Sequence, residues 1–138
     1  NKNPRNFGLL EEATHMAHGK NPLCGDDFFI FLKVNDDIIE DVKFQGSGCA
    51  ISKSSASLLT TTLKGKSIDD SKVIKDAFLS LLTSDDCSED EKSKLSKLKV
   101  FEGVKEFPIR IKCATLIWRA FESALDSDGN ENVEISTE

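Results

Sequence analysis

Long apolar runs are missing from this 138-residue chain. None approaches the roughly 20 residues that a helix needs to cross a bilayer, so a membrane-spanning helix is excluded. An excess of positive charge is missing too: 18 Lys and Arg stand against 24 Asp and Glu, giving a formal charge of −6 and a pI near 5.0. A phosphate backbone would be repelled, which argues against nucleic-acid partners. No secretory signal is visible, so the four cysteines point to metal-binding or catalytic thiols before disulfides. Nor is there a short Cys-x-x-Cys knuckle, so a shared metal must gather its thiols from distant parts of the chain. The chain opens at Asn1 without a methionine, and a leader or a first helix is expected to precede it. A cytoplasmic location is expected, with an organelle left open by that truncated start.

What is present fits one domain, long enough to bury a real core. Residues 1–125 are expected to form it, with 126–138 as a disordered acidic tail. In that tail Asp126, Asp128 and Asn130 resemble the start of a calcium loop. The glycine falls at 129 and no glutamate follows at 137, so that reading is rejected.

Asn1 to Gly8 is rich in turn formers and reads as an entry segment. Leu9 to Gly19 is ambiguous. His15 and His18 stand three apart and could share a helical face, but two polar residues in a connecting segment is the commoner outcome. Phe28 to Val34 is aromatic and β-branched and predicts a strand. Asn35-Asp36-Asp37 is a turn, and Ile38 to Phe44 alternates polar and apolar residues as a returning strand.

That hairpin organises the candidate chemistry. Cys24 and Asp26, separated by Gly25, sit at the entrance of its first strand. Gln45-Gly46-Ser47-Gly48-Cys49 sits at the exit of its second. Antiparallel pairing brings entrance and exit to the same end, placing Cys24 beside Cys49. Ala50 to Leu63 follows as a helix, its small residues fitting it against the hairpin's dry face and Lys64-Gly65-Lys66 ending it. Cys49 therefore stands at a helix N-terminus, where free amides and the helix dipole favour a thiolate.

Ser71 to Leu82 predicts a second helix with Val73, Ile74, Ala77, Phe78 and Leu81 on one stripe. Ser84 to Lys99 is highly charged; its Cys87, among carboxylates that disfavour a thiolate, reads as an incidental surface thiol. Leu95, Leu98 and Phe101 suggest a short helix leading into Gly103. Phe107 to Leu125 is the strongest helix, with Pro108 in its first turn and Ile109, Cys113, Leu116, Ile117, Ala120, Phe121 and Ala124 on one face. A cysteine on such a face is more often a small core residue than a ligand.

Cys24, Asp26, Cys49 and Cys113 make four anionic ligands, the number that a tetrahedral zinc takes. Three thiolates and a carboxylate around zinc carry about −2, which a buried site tolerates beside a cation. Arg110, three residues before Cys113, could meet that need, although an ordinary solvated arginine fits as well.

Leu23-Cys24-Gly25-Asp26, Gly46-Ser47-Gly48-Cys49-Ala50-Ile51-Ser52 and Ile109-Arg110-Ile111-Lys112-Cys113-Ala114-Thr115-Leu116 closely resemble the three cysteine motifs of the IscU/SufU (NifU N-terminal-like) iron–sulfur cluster assembly family. Asn3-Pro4-Arg5-Asn6 is similar to that family's N-terminal segment. IscU-type scaffolds carry histidine before the third cysteine, where this chain has Lys112. The 63 residues between Cys49 and Cys113 match the longer spacing of SufU-type members.

The resemblance implies an α+β fold, a small antiparallel sheet of about three strands with helices on one face. It implies a zinc site formed by Cys24, Asp26, Cys49 and Cys113, and acceptance of persulfide sulfur from a SufS-type cysteine desulfurase. Downstream iron–sulfur scaffold proteins would then take the sulfur. Cys24 is the expected acceptor, because a loop thiol leaves a metal more easily than one on a packed helix. Asp26 would hold the metal meanwhile, and Arg110 would stabilise the anion. The same four ligands suit a scaffold on which an iron–sulfur cluster is assembled, and a purely structural zinc is a third reading.

Overall fold

The computed structural model describes residues 7–8, 10, 12–22, 25–84 and 87–126, and the backbone of 133–136. The entry motif at 3–6, Leu23, Cys24 and most of the expected tail lie outside the described residues.

The central hairpin is as expected and longer. Strands β2 (Asp26–Asn35) and β3 (Ile38–Ser47) pair antiparallel around Asp36 and Asp37, whose φ values of 51° and 62° place both in the left-handed region. Two consecutive left-handed residues make the tight turn that matches strand twist, and aspartate tolerates that conformation. The alternation of β3 holds, since Val42 and Phe44 are buried while Asp41 and Lys43 reach solvent.

The stretch from Leu9 to Gly19 resolves as a third antiparallel strand, β1 (His15–Asn21), pairing with β2 from His15↔Leu32 to Asn21↔Asp26. A strand turns residues three apart to opposite faces, so His15 and His18 do not share one. The His18 ring instead stacks on Phe29 on the outer side of the sheet, 4.2 Å between centroids, and its Nε2 meets Asp27. Ala17 and Gly19 face inward. A Cβ at Gly19 would lie 3.1 Å from Leu116 Cδ1, so the glycine lets a helix approach the strand closely.

That helix is α4 (Pro108–Asp126), which crosses β1 and β2 and lies against α1 (Ala50–Leu63). Its inward face buries Cys113, Leu116, Ile117, Ala120, Phe121 and Ala124, whereas Ile109, expected on that face, is 62% exposed because it precedes the first turn that meets the core. Helix α1 packs on α4 as well as on β3, and its buried side is Ser52, Ser55, Ala56, Leu59, Thr60 and Leu63. Helix α2 (Ile68–Thr83) starts at Ser67, whose side chain accepts from the Asp70 amide. Of the expected stripe Ile74, Ala77, Phe78 and Leu81 are buried and Val73 is exposed, while Leu79 and Leu82 add to the buried face.

The charged region divides into α3 (Glu89–Ser93), opened by a capping box from Ser88 and Glu91, and a 3-10 helix (Ser96–Glu106). The latter runs through Gly103 rather than ending there, and Leu98 and Phe101 anchor it. The core centres on Trp118 and Phe78, stacked at 4.8 Å.

The sheet order is β3-β2-β1-β4, the last strand (Val133–Ser136) lying parallel to β1. Four residues of the expected disordered tail are thus paired. The polar run from Asp126 to Asn132 sets the composition of that tail, whereas Val133-Glu134-Ile135 alternates as a strand does.

Candidate metal centre

The antiparallel register carries Asp26 and Cys49 to the same end of the hairpin. Asp26 shares its inward face with Phe28 and Ile30, and is only 2% exposed. Its partner strand leaves the sheet at Gly46-Ser47-Gly48. At Gly46, with φ 140°, a Cβ would sit 2.1 Å from the Asp27 carbonyl oxygen. At Gly48 a Cβ would sit 2.4 Å from Asp26 Oδ1 and 2.7 Å from Phe28 Cε2. Gly46 leaves no space for a side chain against the backbone of Asp27 and Phe28, and Gly48 leaves none against the Asp26 carboxylate and the Phe28 ring.

Cys49 is the N-cap of α1, extended at φ −73° and ψ 167°, with its sulfur accepting from the Ser52 amide. Its own amide donates to Asp26 Oδ1 at 2.8 Å, and Ser52 Oγ donates to Asp26 Oδ2 at 2.5 Å. A buried carboxylate needs such donors, and charge-assisted bonds of this kind are the stronger ones. Cys49 Sγ lies 3.9 Å from Asp26 Oδ2.

Cys113 arrives on α4, 3% exposed and one turn in from the helix start. Serines dock α4 on α1 there. Ser52 Oγ lies 3.1 Å from the Cys113 carbonyl oxygen, and Ser55 Oγ donates to the Ala114 carbonyl at 2.5 Å while accepting from Trp118 Nε1 at 3.0 Å. The outcome is a group from three elements: ligand atoms of Asp26, Cys49 and Cys113 all lie within 4.8 Å of one another.

Bond lengths of about 2.0–2.3 Å at a tetrahedral ion separate its ligand atoms by about 3.3–3.8 Å, so the group fits a metal with small side-chain adjustment. Two sulfurs and a carboxylate oxygen are donors suited to zinc and to iron–sulfur chemistry alike.

The other residues singled out in the sequence fall elsewhere. Cys24 lies outside the described residues, two positions before Asp26 and joined to it through Gly25, whose φ is 71°. Arg110 is exposed, its guanidinium 4.5 Å above the Phe107 ring. Cys87 is half-buried, its sulfur directed at the Ser88 carbonyl. His15 bonds Thr14 and His18 meets Asp27. Ser52 also lies at the Asp26, Cys49 and Cys113 group, although its residue type does not single it out in the sequence. The available signal was its spacing, three residues after a capping cysteine, where a cap and its N3 partner meet.

Three antiparallel strands with a short parallel fourth, packed with helices, and two thiols and a carboxylate gathered where the hairpin opens define an α+β domain carrying a metal-type ligand group. The NifU-like N terminal domain model matches residues 1–114, and the chain belongs to that family of iron–sulfur cluster assembly proteins. It is 38% identical over 131 residues to the zinc-dependent sulfurtransferase SufU of Bacillus subtilis, covering 95% of this chain and 87% of that protein. It is 34% identical over 131 residues to the iron–sulfur cluster assembly scaffold protein IscU of Streptococcus pyogenes, covering 94% and 79%. The crystal structure of FiSufU from Fervidobacterium islandicum superposes with a TM-score of 0.81 at 32% identity, over 87% of this chain and 86% of that one. Among the described residues no helix is long and apolar enough to cross a membrane.

Proposed function

We propose that this chain is a zinc-dependent sulfur-transfer protein of iron–sulfur cluster assembly. It takes persulfide sulfur from a SufS-type cysteine desulfurase on Cys24 and passes it to downstream scaffold proteins. The observation that carries this reading is the meeting of Asp26, Cys49 and Cys113 within 4.8 Å at the hairpin's open end. The likeness to a zinc-dependent sulfurtransferase over 95% of the chain supports the choice of metal and reaction.

Asp26, Cys49 and Cys113 would hold zinc with Cys24 as fourth ligand. Zinc would supply the positive charge that keeps thiols deprotonated at neutral pH, without redox chemistry of its own. The chain's part is the transfer. The Cys24 thiolate attacks the terminal sulfur of the enzyme's persulfide; a new S–S bond forms at Cys24, the old one breaks, and the desulfurase cysteine departs as thiolate. The terminal proton stays on the transferred sulfur, and no external oxidant is needed. Asp26, buried and held by two hydrogen bonds, is the ligand least free to leave. Arg110, exposed at the start of α4, is available to an incoming anion.

The test is sulfide release by the desulfurase with cysteine and a dithiol. Adding this protein should raise the rate, and Cys24→Ala should abolish the gain; equal stimulation by that variant defeats the assignment. The likeness to a scaffold protein favours a second reading, cluster assembly on the same ligands. Protein purified without air would then be brown and hold iron, where the first reading expects one colourless zinc.

A further inference from the structure

The hydroxyl oxygen of Ser52 lies between all three described members of the metal-type group. It stands 2.5 Å from Asp26 Oδ2, 3.4 Å from Cys49 Sγ and 3.1 Å from the Cys113 carbonyl oxygen. The Ser52 amide also faces Cys49 Sγ, at 3.5 Å. The residue is 2% exposed, so water does not compete for these contacts. We propose that Ser52 is a positioning residue of this centre, orienting Asp26, Cys49 and Cys113 toward one ion. The proposal rests on the metal-site reading above and deepens it.

A hydroxyl has one proton, and an ionised carboxylate and a carbonyl can only accept it. Ser52 therefore serves one acceptor at a time, and the shortest contact assigns the proton to Asp26 Oδ2. Asp26 Oδ1 is already held by the Cys49 amide. Each carboxylate oxygen keeps a further lone pair, so Asp26 is fixed in direction yet still able to bind a cation. Turning the hydroxyl about its C–O bond redirects the proton to the Cys113 carbonyl or the Cys49 sulfur without moving any heavy atom. One small side chain thus adjusts to changes in how the carboxylate is engaged while its oxygen stays in place.

Ser55, one turn further along α1, provides the contrast. It ties the same two helices together, but its hydrogen bonds run to Ala114 and Trp118. Removing its hydroxyl loosens the same interface without touching a ligand.

The experiment measures cobalt(II) and zinc affinities of folded protein by chelator competition, with the cobalt absorption spectrum as a second readout. Ser52→Ala should bind tenfold or more weakly and with altered cobalt bands, as loss of a partner to a metal ligand does elsewhere. Ser52→Thr, which keeps the hydroxyl, should bind nearly as well as wild type. Ser55→Ala should lose stability but keep wild-type affinity and spectrum. Where Ser52→Ala is too unstable to titrate, Ser52→Thr against the isosteric Ser52→Val decides the matter. Wild-type affinity in Ser52→Ala or Ser52→Val overturns the positioning role alone. A wild-type protein that binds neither metal removes the metal-site reading and this proposal together.

Discussion

The amide of Cys49 donates to Asp26 Oδ1 at 2.8 Å, joining the cap of helix α1 to the first residue of strand β2 across 23 positions of sequence. The cap that starts the helix and the carboxylate that starts the strand are therefore one unit. Whatever moves Asp26 moves the end of α1, and with it the sulfur of Cys49.

Gly48 tests that unit directly. A methyl group there would stand 2.4 Å from Asp26 Oδ1, 3.1 Å from its Cγ and 2.7 Å from Phe28 Cε2. Phe28 is a core residue, 1% exposed, and cannot swing away. The carboxylate must yield, breaking its bond to the Cys49 amide. Gly48→Ala should cost about 1–3 kcal/mol in urea unfolding of the metal-free protein. Its zinc content after dialysis should fall well below one per chain, whereas full stoichiometry at wild-type stability would contradict the packing described.

Much of this arrangement could be read in advance, for reasons tied to particular residues. The hairpin was legible because Val42 and Phe44 alternate with Asp41 and Lys43, and its pairing alone brings Asp26 near Cys49. Helix α4 was legible from apolar residues at helical spacing. Strand β1 was not, since its inward residues Ala17, Gly19 and Asn21 are small or polar. They are so because α4 passes close above them, a tertiary cause that leaves no apolar alternation. Helix α1 was legible in its bounds, Ala50 to Leu63, but the burial of its Ser52 and Ser55 was not, since serines carry no hydrophobic signal. Their role emerges only when the carbonyls of Cys113 and Ala114 are seen beside them.

Trp118 shows how firmly the two site-bearing helices are joined. It is fully buried, stacks on Phe78, and donates to Ser55 Oγ at 3.0 Å. Trp118→Phe removes the donor and leaves a void, and should cost about 2–4 kcal/mol in urea unfolding. Zinc stoichiometry of the folded fraction should stay at one, because the Ser52 contacts remain. A variant as stable as wild type would show that the indole contributes little.

Lys75 gives a pH-dependent signature away from the centre. Burial pulls its pKa down, but the hydrogen bonds its ammonium donates to Glu122 at 2.8 Å and to Asp76 at 3.0 Å outweigh that, and the net direction is upward. A folded pKa above the unfolded value of about 10.4 favours the folded state fully below that pH. The benefit fades as pH rises through the folded pKa. Urea unfolding in reductant should therefore show a constant difference between wild type and Lys75→Met from pH 7 to about 10, shrinking above it. A difference that stays level to pH 11 would mean that the carboxylates do not hold the ammonium.

Cys113 and Cys87 test the proposed ligand set. Neither thiol is in a disulfide; Cys113 is buried and Cys87 half-buried against the core, and depth of burial alone does not make a thiol a ligand. Geometry distinguishes the two, since Cys113 shares a 4.8 Å neighbourhood with Asp26 and Cys49 while the Cys87 sulfur faces the Ser88 carbonyl. If Cys113 were only a small core residue, Cys113→Ala would lose about 1 kcal/mol or less and leave the metal in place. As a ligand its loss should lower zinc affinity by orders of magnitude, while Cys87→Ala keeps full stoichiometry. Chelator competition on the two variants, with circular dichroism to confirm folding, reads the difference. Equal affinities would return Cys113 to the core and leave Asp26, Cys49 and Cys24 as a three-ligand set in place of the proposed four.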